Sequence, residues 1–143
     1  MSGTGHTVKS YEEEMQSLND NLVMMGSLTE SQMADAMAAV IKVDKDSVDK
    51  IVKNDGKINE LRSVIDNQIT TVLVKRAPMA VDLRITISTM KISHDLERIG
   101  DLAKSVAKKV KPLPVDLPDE LIGSLRRLCL LYTSDAADDL GRV

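Results

Sequence analysis

The sequence predicts an all-α fold: an antiparallel, up-down-up bundle of three helices with a short C-terminal helical fragment. Apolar residues recur at intervals of three and four over three segments of roughly 30 residues each, the period of an amphipathic helix. Alternation at two, typical of strands, is missing from these segments. Phe and Trp are absent, so a core must be filled with aliphatic side chains, which suits packing of helix on helix.

The first helix is predicted from Thr7, a residue type that favours N-caps, to about Val43. The second spans Asp46 to Arg76 and stops at Ala77-Pro78, because proline disfavours the helical conformation of the residue before it. The apolar stripe of the first helix includes Met15, Leu18, Leu22, Met25, Met33, Ala36, Met37 and Val40. That of the second includes Val48, Ile51, Val52, Ile58, Leu61, Ile65, Ile69 and Val72.

The third helix is predicted from about Met79 to Val110. Its stripe alternates steps of four and three, the period of left-handed bundle packing, through Ile85, Thr89, Ile92, Leu96, Ile99, Ala103, Val106 and Val110. The turns near Asp44 and Ala77-Pro78 are short, so neighbouring helices should be antiparallel. We expect the buried residues to include Leu22, Ile65, Ile92 and Leu96.

The composition changes after the third helix. Residues 1–111 are predicted to form the three-helix domain, residues 112–118 a proline-rich linker, and residues 119–143 a further segment that opens with a short helix. The tail from about Leu131 continues no apolar stripe. We expect it to make few contacts with the bundle and to leave its apolar residues exposed, namely Ala136, Ala137 and Leu140.

Composition also limits the function. A net charge of −3 and only two aromatic residues argue against a nucleic-acid partner. The single cysteine, Cys129, excludes an internal disulfide and a cysteine-based zinc site. No apolar run approaches the length of a membrane span, so a cytoplasmic protein that meets membranes only through partners is expected. No glycine-rich phosphate loop or nucleophile with a plausible base is present, which argues against an enzyme.

The third helix carries an acidic motif. His94, Glu97 and Asp101 lie three and four residues apart and therefore share one helix face. Glu97 and Asp101 are like charges one turn apart, which repel unless something neutralises them. His94 by itself is interpreted as a surface histidine or one satisfied by hydrogen bonds, and not as a ligand.

The second helix supplies facing polar residues. Asp55 and Asn59 lie about as far before the proline turn as Asp101 and Glu97 lie after it. Antiparallel helices of equal rise should then place Asp55 beside Asp101 and Asn59 beside Glu97. Asp55 also interrupts the apolar stripe, so it should face inward or flank the seam.

Two interpretations of these residues stay open at this point. Carboxylates on facing bundle helices are typical of metal sites. Alternatively, the acids of the third helix are neutralised on the surface by neighbouring cations, namely Arg98, Lys104 and Lys108.

Two runs resemble signature motifs of the PhoU family: residues 75–84, KRAPMAVDLR, and residues 95–101, DLERIGD. The resemblance extends over about Val8 to Lys111 and implies repeated three-helix bundles, of which this chain would hold one repeat and a truncated second. It implies a negative regulator or adaptor of phosphate uptake and phosphate-starvation signalling. The implied partners are a phosphate ABC transporter ATPase and a sensor histidine kinase. The sequence from about Cys129 resembles a translated sequencing adapter and is interpreted as a non-native tail.

The resemblance also implies a metal site, since acid-x-x-x-Asp motifs of the family hold iron, zinc or other divalent ions. Glu97 and Asp101 match one motif, and Asp55 matches the acid of its partner. Asn59 departs from the pattern, because a carboxylate often stands there. A metal-binding bundle and a PhoU-like module of another phosphate carrier are the alternative functions, and the oligomeric state is left open between monomer and homodimer.

Overall fold

A computed structural model of the chain describes residues 3–114, 116–128 and 130. Three long helices, α1 (Gly3–Lys42), α2 (Asp46–Arg76) and α3 (Ala80–Lys108), pack so that each contacts the other two. A short helix, α4, follows at residues 119–128. Within these described ranges no residue is in a strand, so the predicted three-helix bundle with a short C-terminal helix is confirmed. The expectation for the tail falls on residues outside the described ones.

The first connection is held by Asp44. Its carboxylate accepts hydrogen bonds from the backbone N–H groups of Asp46 (3.1 Å) and Ser47 (3.3 Å), two of the donors that the start of α2 leaves without helical partners. Hydrogen bonds from Ser47 hold the pKa of the Asp44 carboxyl below its ordinary value.

The sequence prediction of a cap at Thr7 is wrong, because the helical conformation of α1 already begins at Gly3.

The second connection ends α2 where the proline predicts. Ala77 has a φ of 40°, in the left-handed region. The following Pro78 disfavours the right-handed helical conformation at Ala77, so α2 cannot continue through this residue. The residue directly before it, Arg76, donates to Glu14 of α1 at 3.2 and 3.3 Å and to Ser10 at 3.0 Å. This signature arginine therefore fastens the end of α2 to α1.

The core consists of two apolar clusters with a polar layer between them. The cluster nearer the start of α1 contains Leu18, Met25, Ile58, Ile65 and Ile69. The other contains Ala36, Ala39, Val48, Ile51, Ala103, Ala107 and Val110. Along each helix, one residue of the layer lies between the clusters: Gln32 on α1, Asp55 on α2 and Gly100 on α3.

The face that α3 buries agrees only in part with the predicted one. Thr89, Ala103 and Val110 of the predicted stripe are buried, whereas four other members of the stripe are exposed, namely Ile85, Ile92, Ile99 and Val106. Ile65 is fully buried as expected, and Leu22 and Leu96 are partly buried, but Ile92 is 47% exposed and that prediction is wrong. The buried residues of α3 are mostly small: Thr86, Thr89, Ser93, Gly100, Ala103 and Ala107. The small side chains of α3 let α1 and α2 approach it closely, and the large buried residues of α1 and α2 fill the core. The isoleucines of α3 therefore lie on its outward side.

Two glycines give a matched test of this close packing. Gly56 on α2 is exposed with open space around it, so Gly56→Ala should raise the free energy of unfolding by about 1 kcal/mol through helix propensity. Gly100→Ala should yield none of this gain, because the new Cβ would lie 3.2 Å from Cδ1 of Ile58 and 3.5 Å from Oδ1 of Asp55. Urea unfolding of both variants measures the difference. Equal gains would show that the polar layer has room for a methyl group.

Candidate functional site

The polar layer is built around a buried carboxylate. Asp55 is 2% exposed, as its place in the apolar stripe predicts. Its Oδ1 accepts a hydrogen bond from Nε2 of Gln32 at 3.0 Å, and its Oδ2 accepts one from Nζ of Lys104 at 2.8 Å. Asn59, one turn along α2, adds a longer contact of 3.4 Å to Oδ2. Both oxygens of Asp55 are thus supplied with donors, which a buried carboxylate requires.

Lys104 links the two facing helices. Its ammonium lies 2.8 Å from Asp55 on α2 and 3.4 Å from Asp101 on α3. The two aspartates therefore meet the same cation, in agreement with the neighbouring positions that equal distance from the turn predicts. The hydrogen bond that Lys104 donates to Asp55 raises the pKa of the Lys104 ammonium above its ordinary value, and the charge of both aspartates adds to this.

Gln32 completes the layer from α1. Its Nε2 also donates to the backbone carbonyl of Gly100 at 2.9 Å, so the amide joins all three helices. Its Oε1 is buried without a hydrogen-bond partner in the described part of the chain. Sequence reasoning missed Gln32, although a glutamine at a stripe position beside a buried acid is a usable signal for such a layer.

Glu97 belongs to a second network nearer the surface. Nη1 of Arg62 lies 2.7 Å from Oε2 of Glu97, and Nε of Arg62 lies 3.6 Å from Oδ2 of Asp66. His94 is exposed and lies 3.3 Å from Asp66, in agreement with its interpretation as a surface histidine. The expectation that cations of α3 neutralise the acids holds for Lys104 with Asp101. The cation beside Glu97 is instead Arg62 of α2, which the sequence pattern did not indicate.

The metal interpretation meets an obstacle in this arrangement. Asp55, Asp101 and Glu97 each have a lysine or arginine at their oxygens, and Asn59 presents its amide N–H₂ to Asp55. Within the described ranges, no group of three or more His, Cys, Asp or Glu side chains is arranged to hold a metal ion. The four residues therefore do not fit a metal unless it displaces Lys104 and Arg62.

A groove lies elsewhere on the bundle. It has a volume of about 490 Å³ and is lined by residues of α1 and α2, including Glu13, Glu14 and Gln68. The two glutamates make it unfavourable for an anion such as phosphate.

Across the described residues, no helix is both long and apolar enough to cross a membrane.

Comparisons with known proteins relate this bundle to one family. Residues 22–110 match the PhoU domain. A Caulobacter vibrioides protein, named as a phosphate-specific transport system accessory protein PhoU homolog, is 42% identical over 138 residues, which cover 96% of this chain and 60% of that protein. The protein of the same name from Clostridium acetobutylicum is 37% identical and covers 75% of this chain and 49% of its own length.

A solved structure agrees with these sequence matches. The crystal structure of PhoU from Pseudomonas aeruginosa superposes with a TM-score of 0.68 at 37% identity. The superposition covers 70% of this chain and 48% of that one. The chain thus spans between 48 and 60% of the length of these three proteins.

Proposed function

The chain belongs to the PhoU family, and from that premise we propose that it acts as an accessory protein of a phosphate-specific transport system and not as an enzyme. The observation that carries the proposal is similarity over most of the chain to proteins that bear this name. The chain covers only part of their length, so the activity of the whole protein belongs to the proposal. Its place of action in the proposal is the cytoplasm.

The finer proposal is a negative regulator that works by contact. The chain would bind the ATPase of a phosphate ABC transporter and a sensor histidine kinase, and would keep phosphate-starvation genes off when phosphate is plentiful. The use of the signature residues supports a contact role. Arg76 fastens α2 to α1, and Gly100 lets α3 approach the polar layer, so both residues serve the packing of the bundle and not a catalytic step.

Binding measurements test this proposal. The purified chain, immobilised at one end, should bind the ATPase subunit of the phosphate transporter from the same organism and the cytoplasmic part of the phosphate-sensing kinase. Biolayer interferometry gives the affinities, and the ATPase subunit of an unrelated ABC transporter serves as control. Binding to neither partner, or equal binding to the unrelated ATPase, would contradict the proposed role.

The metal role stays a prediction. If it holds, iron, zinc or another divalent ion replaces Lys104 and Arg62 at the oxygens of Glu97, Asp101 and Asp55, with Asn59 turned to offer its oxygen. The metal content of protein purified without chelator, compared with the Glu97→Ala/Asp101→Ala variant, tests it. A homodimer likewise stays a prediction.

A further inference from the structure

The buried and partly buried positions of the bundle repeat every seven residues on all three helices. Steps of three and four alternate along α2 without a break: Val48, Ile51, Asp55, Ile58, Arg62, Ile65, Ile69 and Val72. The same steps run along α3: Thr86, Thr89, Ser93, Leu96, Gly100, Ala103, Ala107 and Val110. On α1 they run through Leu18, Leu22, Met25, Thr29, Gln32, Ala36 and Ala39. A slip of one helix by seven residues returns core positions to the core, so this repeat alone permits more than one register.

The polar layer interrupts this repeat at one level of the bundle. Nε2 of Gln32 donates both to Asp55 of α2 and to the backbone carbonyl of Gly100 on α3, so these hydrogen bonds depend on where all three helices stand along their axes. Thr29 of α1 instead bonds to a carbonyl of its own helix at 2.8 Å, with a longer contact of 3.5 Å to the carbonyl of Leu96. The buried hydroxyls of α3 also bond within their own helix and would follow it in any register: Thr86, Thr89 and Ser93.

We propose that the polar layer is a register lock: the two hydrogen bonds of Gln32 select one position of α1 along α2 and α3 among those that the seven-residue repeat permits. A single polar residue at a core position of packed helices can fix their register in this way. Gln32 and Asp55 are each 2% exposed and lie inside the bundle, so their contacts do not depend on what covers the outer faces of the helices.

The helix with room to slide is α1. Arg76, the last residue of α2, contacts Ser10 and Glu14, so residues 3–9 of α1 extend past the end of α2. The row of α1 continues toward this extension through Met15, Tyr11 and Val8. A slip of seven residues would draw the extension into the bundle, while the last turns of α1 would unwind to lengthen the connection to α2.

The slipped register would leave buried polar groups without partners. Met25 would take the place of Gln32 and offer no donor to Oδ1 of Asp55. Gln32 would take the place of Ala39 within an apolar cluster, where its amide would find no partner. Burying polar groups without hydrogen bonds is costly, so the layer disfavours the slip. Ion pairs between α1 and α2 nearer the surface also change, but they are partly solvated and contribute less.

An exchange of two residues within one row tests the lock without any component of phosphate transport. Met25→Gln/Gln32→Met moves the glutamine by seven positions and keeps the composition. Spin labels at Glu13→Cys and Lys53→Cys, in the full chain with Cys129→Ser, report the position of α1 along α2 by double electron–electron resonance. The exchange should shorten the distance between the labels by about 10 Å, the rise of seven helical residues. Met25→Leu, which keeps the row apolar, should leave that distance unchanged.

A second variant decides the matter if the exchanged chain does not fold. Gln32→Leu/Asp55→Val makes the level apolar, and such replacements of buried ionic groups often leave the stability unchanged or raise it. Lys104 keeps Asp101 as its partner. The layer then favours no register, so the shorter distance should appear beside the original one in at least about a tenth of the molecules. A single, original distance in either variant, with the helical circular dichroism retained, overturns the proposal, because the two short connections would then fix the register by themselves.

Discussion

Lys104→Met should lower the free energy of unfolding by about 3 kcal/mol, because it removes the cation from a carboxylate that is almost wholly buried. Asp55 would keep its hydrogen bonds from Gln32 and Asn59, but its charge would have no counter-charge within the bundle core. Methionine retains the length and much of the packing of the lysine stem, so the loss reports the charge. Urea unfolding followed by circular dichroism measures it.

Two further variants separate the charge effect from a packing effect. Lys108→Met, one turn along α3 at an exposed position, should change the stability by less than about 0.5 kcal/mol. Asp55→Asn, added to Lys104→Met, should recover part of the loss, because the buried group is then neutral. A Lys104 variant no less stable than the Lys108 variant would mean that Gln32 and Asn59 suffice for Asp55.

The ion pair also has a defined pH window. The pKa of Lys104 is raised in the folded chain, so the lysine contributes a stabilisation that is complete below the pKa of an unfolded lysine, about 10.5. This contribution is lost as the pH rises through the higher folded value. The stability difference between wild type and Lys104→Met should therefore be constant near neutral pH and shrink in strongly alkaline solution.

The sequence predicts the ends of α2 and the pairing of Asp55 with Asp101 because both depend on the backbone alone. Proline fixes where α2 stops, and equal rise per residue fixes which positions of two antiparallel helices are neighbours. The inward position of Asp55 follows from its place in the apolar stripe. These inferences need no knowledge of how side chains pack.

The partner of Glu97 could not be predicted in the same way. Arg62 lies one turn nearer the connection than the position that faces Glu97, and its long side chain spans the offset. Whether the Arg62 side chain contacts Glu97 depends on its rotamer and on Asp66, which also lies close to its guanidinium. The spacing of acids along the sequence therefore indicates a cluster, whereas its neutralisation by lysine and arginine becomes visible only in three dimensions.

Half of the stripe predicted for α3, namely Ile85, Ile92, Ile99 and Val106, is exposed, and the cause of this difference is general. The row of Ile85, Ile92 and Ile99 has the hydrophobicity expected of a core face, yet the core side of α3 carries Thr, Ser, Gly and Ala. A helix with a large apolar row and a small-residue row offers two faces for packing. The close approach of α1 and α2, with Ile58 reaching to Gly100, selects the row of small residues.

Ile65→Ala and Ile92→Ala should therefore differ sharply, although both remove the same atoms from a helix. Ile65 is fully buried in the apolar cluster with Leu18 and Ile69, so its truncation leaves a cavity and should cost about 3 kcal/mol of unfolding free energy. Ile92 is about half exposed, and alanine is the better helix former, so its truncation should cost less than about 0.5 kcal/mol. Chemical denaturation of the two variants decides between the observed rotation of α3 and the one that the isoleucine row suggests. Similar large losses from both would place Ile92 in a core and refute its outward orientation.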